Sequence, residues 1–244
     1  GQAKEAEDHF SQAISLQEKL EALPDLCEGY LTWAQFLVGV GRLVEVEFYL
    51  GRAETLISRT DYRPLNILLY NVQGELHQKE GRFREAQSSF DRALSQARSL
   101  SNPYEEAKVI GNMGRLALRV KDYPHALVKL QQALAAMSRL GAMNDVLALY
   151  RDLSNLFLAQ GDYARAEEMA AQRESEAGRL GYIDQDVRDL SDVAKRVEHA
   201  GCQKLQLSCH EVHSAAAAPV KKEKGNPEEL PESSSVQLLK SRTV

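Results

Sequence analysis

Basic and amide side chains recur at helical spacing in the middle of the chain, and their chemistry suits carboxylates and peptide groups. Arg115 and Arg119 stand four residues apart, so both fall on one face of a helix. A guanidinium can pair with a carboxylate through two parallel hydrogen bonds, and an asparagine amide can both donate to and accept from a peptide backbone. We predict a partner-binding face composed of Asn71, Lys79, Lys108, Asn112, Arg115, Arg119, Arg151 and Asn155.

The charge of this face differs from that of the whole chain. Most of its ionisable groups are basic, and only Glu75 is expected to oppose them, whereas the chain of 244 residues has a formal net charge of −5. The expected ligand is therefore an acidic segment of a partner protein. The alternative is that these side chains are merely solvated, as charged residues on helices usually are.

Groups that could support catalysis or bind a metal do not form a recognisable site. The clustered cysteines and histidines are Cys202, Cys209, His210 and His213. Their spacing lacks the paired short intervals of a structural zinc site. Asp152 and Ser154 share a predicted helix with no histidine nearby that could activate a nucleophile. We therefore predict no enzymatic activity, no metal site and no cofactor.

The elements that must position the basic face follow from a repeat of 40 residues. A small residue recurs at Ala6, Val46, Ala86, Ala126 and Ala166. Five residues before it stand Gly1, Gly41, Gly81, Lys121 and Gly161. Four residues after it stand Phe10, Leu50, Phe90, Leu130 and, more weakly, Ala170. A fixed period in this range predicts a solenoid whose units stack and share a core.

Each unit also contains an earlier helix. Apolar residues before each turn recur at i, i+3, i+4 and i+7, which is helical periodicity. Seven residues before each turn stands a small residue that lets a neighbouring helix approach closely: Ala34, Gly74, Gly114, Ser154 and Ala194. Each unit is therefore predicted to be a helix A, a tight turn and a helix B, which gives ten helices through residue 200.

These residues resemble the tetratricopeptide repeat family. Gly81-Arg82-Phe83-Arg84-Glu85-Ala86, followed by Phe90 and Ala93, is similar to the helix B signature of that family. The period is longer than the family's usual 34 residues and resembles that of Pins-type G-protein-signalling modulators, most closely at residues 110–114. Bacterial MalT-type regulators carry similar long units. The resemblance implies an all-α solenoid of antiparallel helix pairs, a right-handed superhelix, a concave face built by the A helices and, usually, a peptide ligand.

Composition and register set the expected domains. Charged residues make up 27% of the chain and aromatic residues only 7%, which is typical of a helical soluble protein. We predict a solenoid over residues 1–201, with about five units of which the first lacks its helix A. A capping helix is expected at 202–213. A disordered tail is expected at 214–244, where apolar residues are too few to offset the ordering entropy.

The predicted function is that of a non-catalytic protein-interaction scaffold that holds a partner peptide or helix in its concave groove. The alternative is a ligand-sensing regulatory domain of a larger transcription regulator or signalling protein. The acidic net charge argues against nucleic acid as a partner, and no apolar run is long enough to suggest a membrane partner. The expected location is the cytoplasm, with the nucleus as the alternative.

Overall fold

The structure is a computed structural model, and it describes residues 2–20, 22–60 and 62–180. This part of the chain is all-α, as predicted, and has no strand. Its nine helices are α1 (Gln2–Lys19), α2 (Leu23–Val40), α3 (Leu43–Thr60), α4 (Leu65–Lys79), α5 (Phe83–Ser99), α6 (Pro103–Arg119), α7 (Tyr123–Leu140), α8 (Met143–Gln160) and α9 (Tyr163–Arg179).

The helices alternate between the predicted A and B types. Pair one is α2–α3, pair two α4–α5, pair three α6–α7 and pair four α8–α9, and the first helix of each pair is the A helix. Each A helix packs most extensively against the B helix that follows it, and also touches the A helix of the next pair. Stacking therefore brings equivalent positions of successive A helices next to one another.

A left-handed residue ends every A helix and reverses the chain. Gly41, Gly81 and Gly161 have φ values of 83°, 77° and 75°, and Lys121 takes the same place with a φ of 63°. The residue after each of them donates its backbone N–H to a carbonyl five residues earlier, which satisfies one of the free acceptors at the helix end. The predicted turns at these four positions are confirmed.

The small residues predicted at the helix contact do permit a close approach. A Cβ atom placed on Gly74 would lie 2.4 Å from Cε1 of Phe90, and one on Gly114 would lie 2.8 Å from Cγ of Leu130. Ala86 and Ala126, the recurring small residues of α5 and α7, are fully buried. The 40-residue register therefore reflects steric limits that recur in each pair.

The core is apolar and contains the one cysteine of the described residues. Cys27 is buried, and its thiol donates a hydrogen bond to the carbonyl oxygen of Ala53 at 3.6 Å. Burial raises the pKa of the Cys27 thiol to about 11, so the group stays protonated and unreactive near neutral pH.

Several predictions lie outside the described residues. These are the tenth helix before residue 201, the capping helix at 202–213, the tail at 214–244 and the cysteine–histidine cluster between 202 and 213. The division into five units and the handedness of the superhelix stay predictions.

Candidate functional site

The A helices line one groove with a volume of about 740 Å³. Gln35, Glu75, Arg115 and Asn155 all lie in it and stand 40 residues apart, one on each A helix from α2 to α8. The groove is therefore a direct product of the repeat, which places one side chain of each unit along the same strip. The polar groups that line it are Gln35, Glu75, Gln78, Lys79, Lys108, Asn112, Arg115, Arg119, Asp145, Arg151, Asp152 and Asn155.

Glu75 is the centre of a hydrogen-bond network on the groove floor. Its Oε1 accepts from Nε2 of Gln35 at 2.9 Å, from Nδ2 of Asn71 at 3.2 Å and from Nδ2 of Asn112 at 2.8 Å. Nδ2 of Asn112 also donates to Oδ1 of Asn71 at 2.8 Å. These bonds connect α2, α4 and α6, so the network joins three successive pairs through their polar side chains.

Arg115 extends this network to α8. Its Nε donates to Oδ2 of Asp152 at 2.6 Å, and its guanidinium also donates to Oδ1 of Asn112. Asp152 is buried, and the Arg115 side chain is 35% exposed. A partly buried ion pair with an additional hydrogen bond holds the guanidinium in place more firmly than an exposed pair would. We call the six connected residues the floor network: Gln35, Asn71, Glu75, Asn112, Arg115 and Asp152.

Burial raises the pKa of the Glu75 carboxyl. The hydrogen bond from Gln35, the positive charge of Lys108, the hydrogen bond from Asn112 and the positive charge of Arg115 act in the opposite direction, in that order of size. Desolvation is the largest effect, so the ionised carboxylate is less favourable here than in water.

Four further cations line the same groove as the floor network. Lys79, Arg119 and Arg151 are exposed and Lys108 is half-buried, and within the described residues none of the four forms an ion pair or a hydrogen bond through its side chain. The groove contains five basic side chains and three carboxylates, so its lining has a net positive charge.

Asp145 lies at the edge of the groove and is engaged by a tyrosine. The hydroxyl of Tyr104 donates to Oδ2 of Asp145 at 3.0 Å. Burial and this bond to a carboxylate raise the pKa of Tyr104 to about 12, so the phenol remains a donor at every physiological pH. Asp145 therefore has a hydrogen-bond partner on the neighbouring A helix, and within the described residues it forms no ion pair with the exposed cations.

The structure brings seven of the eight predicted partner-binding residues into the groove lining; the eighth, Asn71, lies fully buried beneath it. Asn112 is only 3% exposed, so its amide serves the floor network. Arg115 is half-buried, so its guanidinium is only partly accessible to a ligand. Glu75 is not the only opposing acid, because Asp152 and Asp145 also line the groove.

Sequence reasoning missed the pairing of Arg115 with Asp152, although a signal was present. The two residues are 37 positions apart, which is one repeat less one helical turn. Glu75 and Asn112 have the same separation and are also bonded. A search for complementary polar residues at an offset of 37 would have found both contacts.

Two features are absent from the residues that the structure describes. No group of three or more histidine, cysteine, aspartate or glutamate side chains is arranged to hold a metal ion. No helix among these residues is long and apolar enough to cross a membrane.

The stacked helix pairs, the left-handed turns and the groove formed by equivalent positions define a helical repeat protein. Residues 64–139, which contain α4 to α7, match the tetratricopeptide repeat family. No curated protein matches the sequence significantly.

Solved structures with the same fold span several kinds of protein. BtubC (BKLC) from P. vanneervenii is 18% identical with a TM-score of 0.61, and the match covers 93% of this chain and 97% of that one. A Signal Transduction ATPase with Numerous Domains from Pyrococcus horikoshii, which has a tetratricopeptide repeat sensor, is 19% identical with a TM-score of 0.59 over 77% of this chain. The match covers only 29% of that ATPase.

A Rap protein in complex with competence and sporulation factor is 13% identical with a TM-score of 0.57. The match covers 85% of this chain and 67% of the Rap chain. At these identities the likeness concerns the fold alone.

Proposed function

We propose that this protein is a non-catalytic interaction scaffold that binds an acidic segment of a partner protein in its groove. The observation that carries the proposal is the difference between two sets of polar groups in the groove. The polar groups of the floor network already bond to one another, whereas Lys79, Arg119 and Arg151 are exposed and pair with no carboxylate among the described residues. A cation that lacks a partner in the free protein can form charge-assisted hydrogen bonds with a ligand.

The floor network also explains why the groove would favour charge over backbone recognition. Asn71 and Asn112 are buried and hydrogen-bonded to their neighbours, so they are not free to bond a peptide backbone. Of the amides predicted to serve that purpose, Asn155 is the one left half-exposed. Carboxylates of the partner would therefore supply most of the specific contacts. The affinity expected for a few exposed contacts to a segment that orders on binding is micromolar rather than nanomolar.

The repeat further suggests a spacing for those carboxylates. Lys79 and Arg119 end α4 and α6 at equivalent positions, and packed helices have axes about 8–10 Å apart. A segment in the polyproline II conformation advances about 3.1 Å per residue and brings every third side chain to the same face, so about three residues span that distance. A partner segment with two acidic residues three positions apart, running across the A helices, matches both cations.

The test uses a fluorescein-labelled peptide that contains Glu-Ser-Ser-Glu, with Gln-Ser-Ser-Gln as its uncharged match. Fluorescence anisotropy with the full chain should show salt-sensitive binding of the first peptide and much weaker binding of the second. The double variant Lys79→Glu/Arg119→Glu should lose at least about tenfold in affinity. Exposed basic residues on B helices provide a control, Arg59→Glu/Arg84→Glu, with the same change of net charge.

The proposal fails if the two double variants weaken binding equally, because the effect would then come from net charge and not from the groove. It also fails if the acidic and the amide peptides bind alike. Circular dichroism of each variant would confirm that the helices remain formed. Addition of salt should weaken the specific binding, since exposed charges are screened over about 8 Å at physiological ionic strength.

A second function, a ligand-sensing regulatory domain, is favoured by two of the similar structures. One is a signalling ATPase with a tetratricopeptide repeat sensor, and the other is a Rap protein in complex with a factor. On this alternative a small ligand would occupy the groove and shift a conformational equilibrium. Thermal-shift measurements with a panel of metabolites separate the two, because a sensor should be stabilised by one compound in the absence of any acidic peptide.

Two finer points belong to the same proposal. Kinship with Pins-type modulators rests on the 40-residue spacing, and the cytoplasm is the compartment in which a scaffold with a buried free thiol would be expected to work. Fractionation of cells that express the tagged full-length protein would test the location.

A further inference from the structure

A second concavity, of about 420 Å³, lies where pairs two and three meet, away from the groove. It is formed by the start of α5, the end of α6 and the start of α7. We call it the notch, and the residues that matter to it are Phe83, Met113, Ala117, Val120, His125 and Lys129. Its walls are mainly apolar, and Phe83 and Val120 are 38% and 46% exposed.

The notch exists because one position of the repeat carries a small residue in pair three. The residue four positions before the turn is Leu37, His77, Ala117 and Phe157 in the four pairs. These positions are structurally equivalent, since the carbonyl of each accepts a backbone hydrogen bond from the residue five positions later. The other three pairs fill this place with a large side chain, and pair three leaves it open.

Pair four shows what the filled arrangement looks like. Phe157 is buried, with 4% of its surface exposed, and the guanidinium of Arg165 lies 4.5 Å from the centre of its ring. Arg165 is held over the ring by Asp162, whose carboxylate accepts its Nε–H at 2.6 Å. A cation above an aromatic face is a favourable contact, which strengthens when water is excluded.

Pair three has an equivalent polar side chain at this position but lacks the aromatic ring. His125 stands at the position of Arg165 and is held by Asp122, the equivalent of Asp162, through a contact of 2.8 Å at Nδ1. Below it lies Ala117 in place of a phenylalanine. The notch therefore has apolar walls, a polar group formed by His125 and Asp122, and space beside Ala117 for one aromatic ring.

Lys129 adds a charge to the rim of the notch. The residue equivalent to Lys129 in pair two is Ser89, which contacts His77 through a hydrogen bond of 3.3 Å. Since His77 is the equivalent of Ala117, Lys129 stands beside the space that the small Ala117 side chain leaves open. Lys129 is half-buried and forms no ion pair or hydrogen bond through its side chain within the described residues. A carboxylate next to an inserted ring would meet this ammonium group.

From these observations we infer that the notch is a docking site for a partner protein that inserts a phenylalanine-like side chain flanked by an acidic residue. The inserted ring would occupy beside Ala117 the place that Phe157 occupies in pair four. Aromatic anchors in desolvated pockets contribute a large share of binding energy at protein interfaces. This site is independent of the groove, so each can fail without the other.

The test is a titration of the ¹⁵N-labelled full chain with the peptide acetyl-Gly-Phe-Glu-Gly-amide, followed by two-dimensional NMR. Weak binding, in the millimolar range, is expected for a single anchor. The backbone signals of Ala117, Val120 and Lys129 should shift. Acetyl-Gly-Ala-Glu-Gly-amide, which lacks the ring, should shift them little.

Two variants fill the notch with side chains that the repeat itself uses elsewhere. Ala117→Phe copies pair four and Ala117→Leu copies pair one, and either should reduce the affinity at least about tenfold. If the larger ring disturbs folding, the leucine variant still tests the inference. Ala117→Ser keeps the space open and should bind like the wild type.

Lys129→Gln tests the acidic flank, because it should weaken binding of the Glu peptide and leave the matching Gln peptide unaffected. The inference is overturned if the Phe and Ala peptides cause equal shifts, or if a folded Ala117→Leu variant binds the Phe peptide as the wild type does. Equal binding of the Glu and Gln peptides to the wild type would overturn the acidic part of the partner's description.

Discussion

Replacement of Gly74 by alanine tests whether the close approach of helix A to helix B depends on the absence of a side chain. The added Cβ would lie 2.4, 2.6 and 2.8 Å from three atoms of the Phe90 ring, whereas carbon atoms prefer about 3.5–4.0 Å. The ring is fully buried and would have to move by about 1 Å. Overpacking of this kind costs up to about 3 kcal/mol. The higher helix propensity of alanine returns about 1 kcal/mol, so we expect a net loss of about 2 kcal/mol.

Gly51→Ala is the matched control. Gly51 also lies in the middle of a helix, α3, but it is exposed and a Cβ there would meet nothing within 4 Å. This variant should be more stable than the wild type by about 0.8–1 kcal/mol, because only the propensity gain remains. The two substitutions are chemically identical but their surroundings differ. They should therefore change stability in opposite directions.

A second substitution should rescue the first. In pair one the equivalent positions hold Ala34 and Leu50, so the repeat itself combines alanine with a smaller partner. Phe90→Leu alone should cost about 1 kcal/mol through the loss of buried volume. Added to Gly74→Ala, it should relieve the clash and leave the double variant close to the wild type, which corresponds to a coupling energy of about 3 kcal/mol.

Urea denaturation followed by circular dichroism at 222 nm measures the stability of the wild type and of the four variants. The midpoints and slopes of the transitions give each free energy of unfolding. Equal slopes would show that the shifts in midpoint reflect changes in stability. The reasoning is refuted if Gly74→Ala is as stable as Gly51→Ala, or if Phe90→Leu adds its full cost in the double variant. Either result would mean that the two helices can separate without loss.

Three further predictions follow from the same structure. Lys121→Gly should raise the free energy of unfolding by about 1 kcal/mol, because lysine holds a left-handed conformation that glycine adopts without strain; a lower urea midpoint would contradict this. Burial raises the pKa of Glu75 above 4.5, so wild-type stability should fall as pH rises from that value through the folded pKa. Glu75→Gln should remove this fall in stability. If the variant and the wild type lose stability equally over this pH range, burial of Glu75 is not the cause of the fall. Ala126→Leu should cost on the order of 1–3 kcal/mol in urea, because the residue is fully buried; an unchanged midpoint would argue against tight packing there.

Most of the fold could be predicted from the sequence because the constraints on it are local and repeated. The turn at Lys121 was expected despite the missing glycine, since the register of three other turns placed it there. The burial of Ala86 and the close contact at Gly74 follow from steric limits that leave only a small residue acceptable.

The depth of the polar residues could not be predicted in the same way. Helical periodicity shows which face a residue is on, but Asn112 and Arg119 share a face and differ completely in exposure. Whether a polar group is buried depends on which complementary group the next A helix brings to it. For Arg115 that group is Asp152, and no property of α6 alone reveals it.

The floor network sets a limit on how this protein could have grown by duplication. An apolar core tolerates an additional copy of a unit, because each copy offers the same kind of surface to the next. A second copy of pair two inserted after the first would place a valine, the equivalent of Asn112, and another glutamate, the equivalent of Arg115, beside Glu75. The carboxylate would lose a donor and face a like charge. The placement of pair three next to pair two therefore depends on a few polar side chains at the base of the groove, and a natural variant with a second copy of pair two should carry compensating changes at these positions.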